Sequence, residues 1–299
     1  MIPEKPGKQN ICAVVVTFCP DVKFPARIAL IAPQVMHLLI VDNSDCPVTP
    51  NPLSALASKP HLDLIQNNSN FGIAKALNQG VHWAAEKGYR WILFLDQDSV
   101  VAENMVNSLM EAYEAYPMKE NLAMIGSSFK DPNIQTETLR PMQSGSACWE
   151  ETKTTITSGS FLYVDAYKAI GPFRDEFFID CVDLEYCLRA RSLGFKVIVT
   201  RKPTMEHQIG RTIMHRVLWR VSGTSNHPPS RRYFMARNRI VLMREYLFKE
   251  PTWAMKVVYS HLKSTILCCL FEQSKWQKLK YTGLGVFDGI SSNYSRQVS

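Results

Sequence analysis

Apolar and polar blocks alternate over the first hundred residues. Ile11–Phe18 (I-C-A-V-V-V-T-F) is a β-branched run broken by Cys19-Pro20-Asp21, and such a run predicts a buried strand. A short helix is expected to reach about Ala32, where Pro33 ends it. His37–Val41 predicts a second strand, leading into Asp42-Asn43-Ser44-Asp45. A short helix is expected near 53–58, after the proline-rich segment 47–52. His61–Gln66 predicts a third strand, leading into Asn67–Asn70. Ile73, Ala76, Leu77, Gly80, Val81 and Ala84 recur at helical spacing, so a helix runs from Gly72 to about Lys87 with Gly88 as its C-cap. Trp91–Leu95 is the fourth strand. Alternating strands and helices predict an α/β protein with a parallel sheet covered on both faces. Open sheets of this kind bind ligands at the carboxyl ends of their strands, where Asp42, Asn67–Asn70 and Asp96–Asp98 all fall.

The stretch with most chemical content is Trp91–Val100, W-I-L-F-L-D-Q-D-S-V. In an extended chain residues i and i+2 share a face, so Asp96 and Asp98 are expected side by side. Two close carboxylates repel unless a cation or proton lies between them. A hard divalent ion with oxygen ligands, Mg²⁺ or Mn²⁺, suits the pair and commonly binds with substrate phosphates. The structural alternative is a loop start, with Asp98 or Ser99 capping the next helix.

Beyond this point residues 103–116 read as a helix and 122–126 as a strand. Residues 130–152 are polar and irregular, a loop expected over the site. Thr154–Thr157 and Phe161–Val164 flank Ser158-Gly159-Ser160, where Gly159 serves either a close ligand approach or a turn. Phe177–Arg191 (F-F-I-D-C-V-D-L-E-Y-C-L-R-A-R) holds three acids in six residues, Asp180, Asp183 and Glu185. A helix is expected from Asp180 to Gly194. One reading makes Asp180 and Asp183 a capping pair. The other makes Asp183 a general base: a carboxylate in the first helical turn meets the positive end of the dipole, which favours its ionised form. Phe195–Thr200 predicts a strand, and His207 then either returns to the metal edge or stays a surface residue.

Charge changes the picture of the last third. Net charge is +7, yet residues 1–200 hold 17 Lys/Arg against 22 Asp/Glu, and residues 201–299 hold 17 against 5. A basic carboxyl-terminal part points to anionic lipid, phosphate or nucleic acid, or to a solvated basic face. Pro228–Tyr233 opens a helix to about Lys249 whose arginines Arg231, Arg232, Arg237 and Arg239 suit phosphate oxygens. Thr252–Phe271 reads as an amphipathic helix that packs on the core or lies on a membrane. The last twenty residues read as polar and frayed. No run of about 18 uncharged apolar residues predicts a spanning helix, and the amino-terminal segment lacks the apolar stretch of a signal peptide. The eight cysteines show no C-x-x-C or zinc spacing and read as reduced thiols of a cytosolic protein. Two parts are expected: a catalytic domain over 1–227 and a basic helical region over 228–299.

Taken in order, V-V-V-T-F, V-D-N-S, N-F-G-I-A-K-A-L-N-Q-G, L-D-Q-D-S, T-S-G-S-F, F-I-D-C-V-D-L-E-Y-C-L-R and R-Y-F-M-A-R-N-R resemble the family 2 inverting glycosyltransferases. Within that family the bacterial rhamnosyltransferases of O-antigen and other polysaccharides are the nearest in pattern. The resemblance implies a GT-A fold, with a mostly parallel central sheet flanked by helices and a helical carboxyl-terminal extension. It implies that Thr17, Asp42 and Asn70-Phe71-Gly72 hold base and ribose, and that Asp96 meets ribose or metal-bound water. Asp98 and His207 would ligate Mg²⁺ or Mn²⁺. Asp183 would be the base, aligned by Arg189, and Arg231, Tyr233, Arg237 and Asn238 would close over the diphosphate. Val182 departs from the family, where many members carry an acid; Asp180 is the spatial substitute. The implied donor is dTDP-L-rhamnose and the implied acceptor a lipid-linked glycan, at the cytoplasmic face of the inner membrane, with no nucleic acid partner. Two rivals remain on sequence: a haloacid-dehalogenase-like phosphatase with Asp96 as nucleophile, and a non-catalytic basic surface protein. A glycosyltransferase using another nucleotide sugar is the nearer alternative.

Overall fold

The two central apolar runs form strands that are buried from both faces. Ile11, Cys12, Ala13 and Val14, like Trp91, Ile92 and Leu93, have no exposed surface. The computed structural model describes residues 3–46, 49, 51–56, 59–131, 134–137, 147–206, 213–217, 220–224, 226–296 and 298. It divides into two compact units, residues 1–175 with 183–208, and residues 176–182 with 209–299.

The first unit is built on one sheet. Strands β1 (Ile11–Thr17), β2 (His37–Asp42), β3 (Leu62–Gln66) and β4 (Trp91–Asp96) lie in the order β3-β2-β1-β4, all parallel. Helices α1 (Phe24–Ile31) and α2 (Gly72–Glu86) connect them, as the spacing predicts. The far half is mixed. β5 (Val100–Val101), α3 (Met105–Ala115), β6 (Leu122–Asp131), β7 (Ile134–Glu137) and β8 (Trp149–Glu151) precede β9 (Ser160–Tyr163), which runs antiparallel between β4 and β6. After α4 (Val164–Ile170) and α5 (Val182–Ser192), β10 (Lys196–Glu206) pairs parallel with β6 and antiparallel with β5.

Three expectations need correction. No helix forms over the described part of 53–58: the Asn51 side chain accepts the Leu53 N–H at 2.9 Å, and this local bond favours turns over a helix. The 130–152 segment is not wholly irregular, since it contributes β7 and β8. The carboxyl-terminal segment is not frayed over its described residues, since a helix runs to Ser291.

That last correction belongs to the second unit. It holds a hairpin, β11 (Ile213–Val217) with β12 (Arg220–Thr224), and three helices, α6 (Pro229–Tyr246), α7 (Pro251–Phe271) and α8 (Lys275–Ser291). Helix α8 packs along α6 through two glycines one turn apart. A Cβ on Gly285 would lie 2.3 Å from the Tyr233 carbonyl oxygen, and one on Gly289 2.7 Å from that of Arg237. Bare backbone lets the two helices approach this closely. Asp288 lies between those glycines, fully buried. It accepts the Tyr233 hydroxyl at 2.8 Å and pairs with Arg296. Arg296 holds its carboxyl below the usual range, with the Tyr233 hydroxyl adding to the effect against burial. The sequence conceals this because a polar residue between glycines reads as loop.

Candidate active site

In-register parallel pairing sets the left end of the site. Thr17 lies opposite Asp42, and its hydroxyl donates to the Asp42 carboxylate at 2.7 Å. Ser44 donates to the same oxygen at 2.7 Å. Thr17 is itself almost wholly buried, so it positions Asp42, while Asp42 lines a cavity with Pro20, Ser44, Asp45, Gln66 and Asn68. The next turn is held by amides. Asn70 accepts the Gly72 N–H at 3.0 Å where α2 begins. Asn43 donates to the Gly72 carbonyl, and Asn67 bridges Asn43 and Gln79, both at 2.8 Å. Thr17, Asp42, Asn70 and Gly72 thus form one connected group at the carboxyl ends of β1–β3.

Asp96 ends β4, and the chain then turns instead of staying extended: the Ser99 N–H donates back to the Asp96 carbonyl at 3.2 Å. The alternation argument for the carboxylate pair therefore does not describe their geometry. Gln97 shows why the turn holds. Its side chain accepts the Phe18 N–H at 2.8 Å and donates to the Phe18 carbonyl at 3.2 Å, and its own carbonyl accepts from Arg27 at 2.7 Å. From the β9 side, Ser158 accepts the Asp96 N–H at 3.1 Å and shares a hydrogen bond with Ser99 at 2.7 Å. Asp96 is left half-buried and Asp98 exposed. Neither Asp98 nor Ser99 caps a helix, because β5 follows and α3 starts only at Met105.

The donor set suits a hard divalent ion: oxygen ligands at the open end of the sheet. β10 returns to the same place, with Glu206 paired to Val100, two residues beyond Asp98. His207 is the next residue in sequence and lies outside the described residues.

Gly159 proves to be a turn residue. It has φ +78° and donates to the Phe94 carbonyl at 2.7 Å, and any Cβ would strike Met205 and Ser127. The segment around it joins the aspartate turn to α5: Ser158 holds Asp96 and Ser99, while the Thr155 carbonyl accepts the Cys187 thiol of α5 at 3.7 Å. Asp183 lies in the first turn of α5, and its carboxylate accepts the Leu184 N–H at 2.8 Å. Arg189 forks onto the buried Glu185 at 2.8 and 3.0 Å and donates to the Ile170 and Pro172 carbonyls at 2.7 Å. Of the three acids, then, Glu185 anchors the helix. Asp180, at φ +64°, accepts from the Arg231 Nε and Nη2 at 3.0 and 3.2 Å and does not cap it.

Tyr233, Arg237 and Asn238 of α6 are buried. Arg237 is 1% exposed, bonds to Asn238 and to the Glu176 carbonyl, and lies over the Tyr233 and Phe234 rings. The Asn238 amide donates to the carbonyls of Phe177, Ile179 and Asp180 at 2.8–2.9 Å. The Arg237 and Asn238 side chains thus hold the segment that leads into Asp183. Sequence reasoning missed Gln97, Ser158 and Asn78; Asn78 joins α2 to Phe173, Asp175 and Tyr167. Their signal was present in L-D-Q-D-S, T-S-G-S-F and L-N-Q-G, motifs read for ligand contacts alone.

Comparison with known proteins places this geometry. Residues 26–170 match the profile of glycosyl transferase family 2. The chain is 30% identical to the dTDP-rhamnosyl transferase RfbF of Shigella flexneri over 94% of its own length and 95% of the relative's. Among solved structures it is similar to residues 1–349 of S. aureus TarS, at TM-score 0.57 and 12% identity over 96% of this chain and 82% of that one. The same region is known in complex with UDP-GlcNAc, at TM-score 0.56 and covering 88% of that chain. This chain spans 44% of the longer TarS structure. These likenesses carry the GT-A fold.

Proposed function

The chain belongs to glycosyl transferase family 2, and from that we propose that it transfers L-rhamnose from dTDP-L-rhamnose to a hydroxyl of a lipid-linked glycan, with inversion, during polysaccharide synthesis. The observation that carries the donor is the near full-length similarity to an enzyme named for dTDP-rhamnose. Family membership sets aside the phosphatase and non-catalytic readings.

Asp42, fixed by Thr17, and the Asn70–Gly72 turn receive the nucleoside. Asp96 lies at the ribose side. Asp98 and His207 would hold Mg²⁺ or Mn²⁺, which when bound offsets charge on the departing diphosphate. Of Arg231, Tyr233, Arg237 and Asn238, Arg231 is the one that is not buried, its side chain being 39% accessible. Asp183 accepts the proton of the acceptor hydroxyl as that oxygen attacks the anomeric carbon and the nucleoside diphosphate leaves from the opposite face.

Helix α7 supports a membrane surface as the working place. Met255, Tyr259, Leu262, Ile266 and Leu270 recur at helical spacing and are 57–71% exposed. Lys256 and Lys263 flank this stripe on a unit that is strongly basic. An apolar face with basic flanks is the pattern of an interfacial helix, and no described helix is long and apolar enough to cross a membrane. The enzyme would then act at the cytoplasmic face of the inner membrane.

A thermal-shift panel tests the donor. dTDP-rhamnose with Mg²⁺ or Mn²⁺ should raise the melting temperature, and UDP- and GDP-sugars should not; stabilisation by a UDP-sugar alone would replace the donor. Sedimentation with vesicles of anionic lipid tests the surface. Wild type should co-sediment, and the double variant Leu262→Glu, Ile266→Glu should stay in the supernatant. Equal sedimentation of the two would remove α7 from the contact.

A further inference from the structure

A second cluster lies beside the donor end of the sheet, and the reaction does not use it. β1 and β2 run parallel with Thr17 opposite Asp42, so the chains leaving them stay adjacent. Cys19 follows β1 by two residues and Cys46 follows β2 by four. Ser44 fastens the two together: it accepts the Cys19 N–H at 2.8 Å and donates to Asp42 at 2.7 Å. The Cys19 and Cys46 sulfurs come to 3.7 Å. The ligand atoms of Cys19, Asp45 and Cys46 all lie within 4.8 Å of one another.

We propose that Cys19, Cys46 and Asp45 form a binding site for a thiophilic divalent ion, with Zn²⁺ as the natural occupant. The sulfur spacing carries this. Two Zn–S bonds of about 2.3 Å at the tetrahedral angle set their sulfurs about 3.8 Å apart, so both thiols already stand at the edge of a zinc tetrahedron. Asp45 supplies a third, oxygen ligand, and water fills the fourth position. On binding, the two thiols release their protons and the ion offsets two thiolates and a carboxylate. This ligand set is distinct in chemistry from the all-oxygen pair Asp96–Asp98: sulfur selects zinc over Mg²⁺. Cys46 and Asp45 also line the cavity that Asp42 enters. Zinc occupancy therefore fixes the loop after β2 and reports on donor affinity through the donor's KM, with kcat little changed. The metal claim stands without the choice of donor.

Cobalt(II) as the probe gives a direct readout. Reduced, metal-free full-length protein titrated with Co²⁺ should develop sulfur-to-cobalt charge-transfer absorption that saturates at one ion per chain and is displaced by Zn²⁺. Cys19→Ser and Cys46→Ser should each lose the two-thiolate signal, while Cys148→Ser keeps it. Peptide mapping after alkylation should show Cys19 and Cys46 protected by Zn²⁺. An absent charge-transfer band, a band that survives Cys19→Ser, or unprotected Cys19 and Cys46 would overturn the site. Failure of dTDP-rhamnose to bind, with the cobalt signal intact, would count against the donor alone.

Discussion

Asp183→Asn lowers kcat for sugar transfer by about 10²–10⁴-fold, the usual contribution of a positioned general base, and leaves donor affinity near wild type. Asparagine has the size of aspartate and keeps an oxygen to accept the Leu184 N–H, so the first turn of α5 stays formed. What it cannot do is take a proton from the acceptor. The neighbouring acids do not replace it: Glu185 is buried under Arg189, and Asp180 is bound by Arg231. Asp180→Asn should therefore cost much less than Asp183→Asn in the same assay. Single-turnover rates with saturating donor separate the two, and equal losses would shift the base to Asp180.

The second large effect is on stability. Glu272 is buried and bridges two buried cations, Arg232 at 2.6 Å and Lys278 at 2.9 Å. Those cations have further partners in Ser264 and Asn226, but Glu272 is the charge that balances them. Glu272→Ala should destabilise the chain by about 3–5 kcal/mol, because it leaves buried positive charge uncompensated. The group also predicts acid sensitivity. Burial alone would raise the Glu272 carboxyl, yet the Lys278 hydrogen bond and the charges of Arg232 and Lys278 outweigh it, and the net shift is downward. A carboxylate depressed in the folded state adds stability above its unfolded pKa, and that stability is lost as pH falls through the folded value. Urea midpoints should thus show a wide gap between wild type and Glu272→Ala at neutral pH that narrows in acid. A gap independent of pH would show that Glu272 acts through packing and not charge.

Strands β1, β2 and β4 of the parallel half were legible because they are buried on both faces, and a strand buried in this way must be a near-continuous apolar run. The polar strand ends were legible because polarity appears abruptly after each apolar run, although Thr17, Asp42 and Asn43 are themselves buried. β9 was less legible. Its four residues follow a glycine turn, and nothing local declares that Ser160–Tyr163 enters antiparallel between β4 and β6. The partners of the α6 arginines were least legible. A sequence shows that Arg232 and Arg237 are cations but not that Glu272 and the Glu176 carbonyl wait for them. Their burial depends on α7 and α8, and the approach of α8 rests on two glycines that read as loop.

The account stands on Asp98 serving the donor through a cation while Asp183 serves the acceptor. Calorimetric titration of dTDP-rhamnose into wild type, Asp98→Ala and Asp183→Asn, each with and without Mg²⁺, tests this most directly. Binding should be strengthened by Mg²⁺ in wild type and in Asp183→Asn and should lose that dependence in Asp98→Ala. Mg²⁺-dependent binding that persists in Asp98→Ala would contradict it.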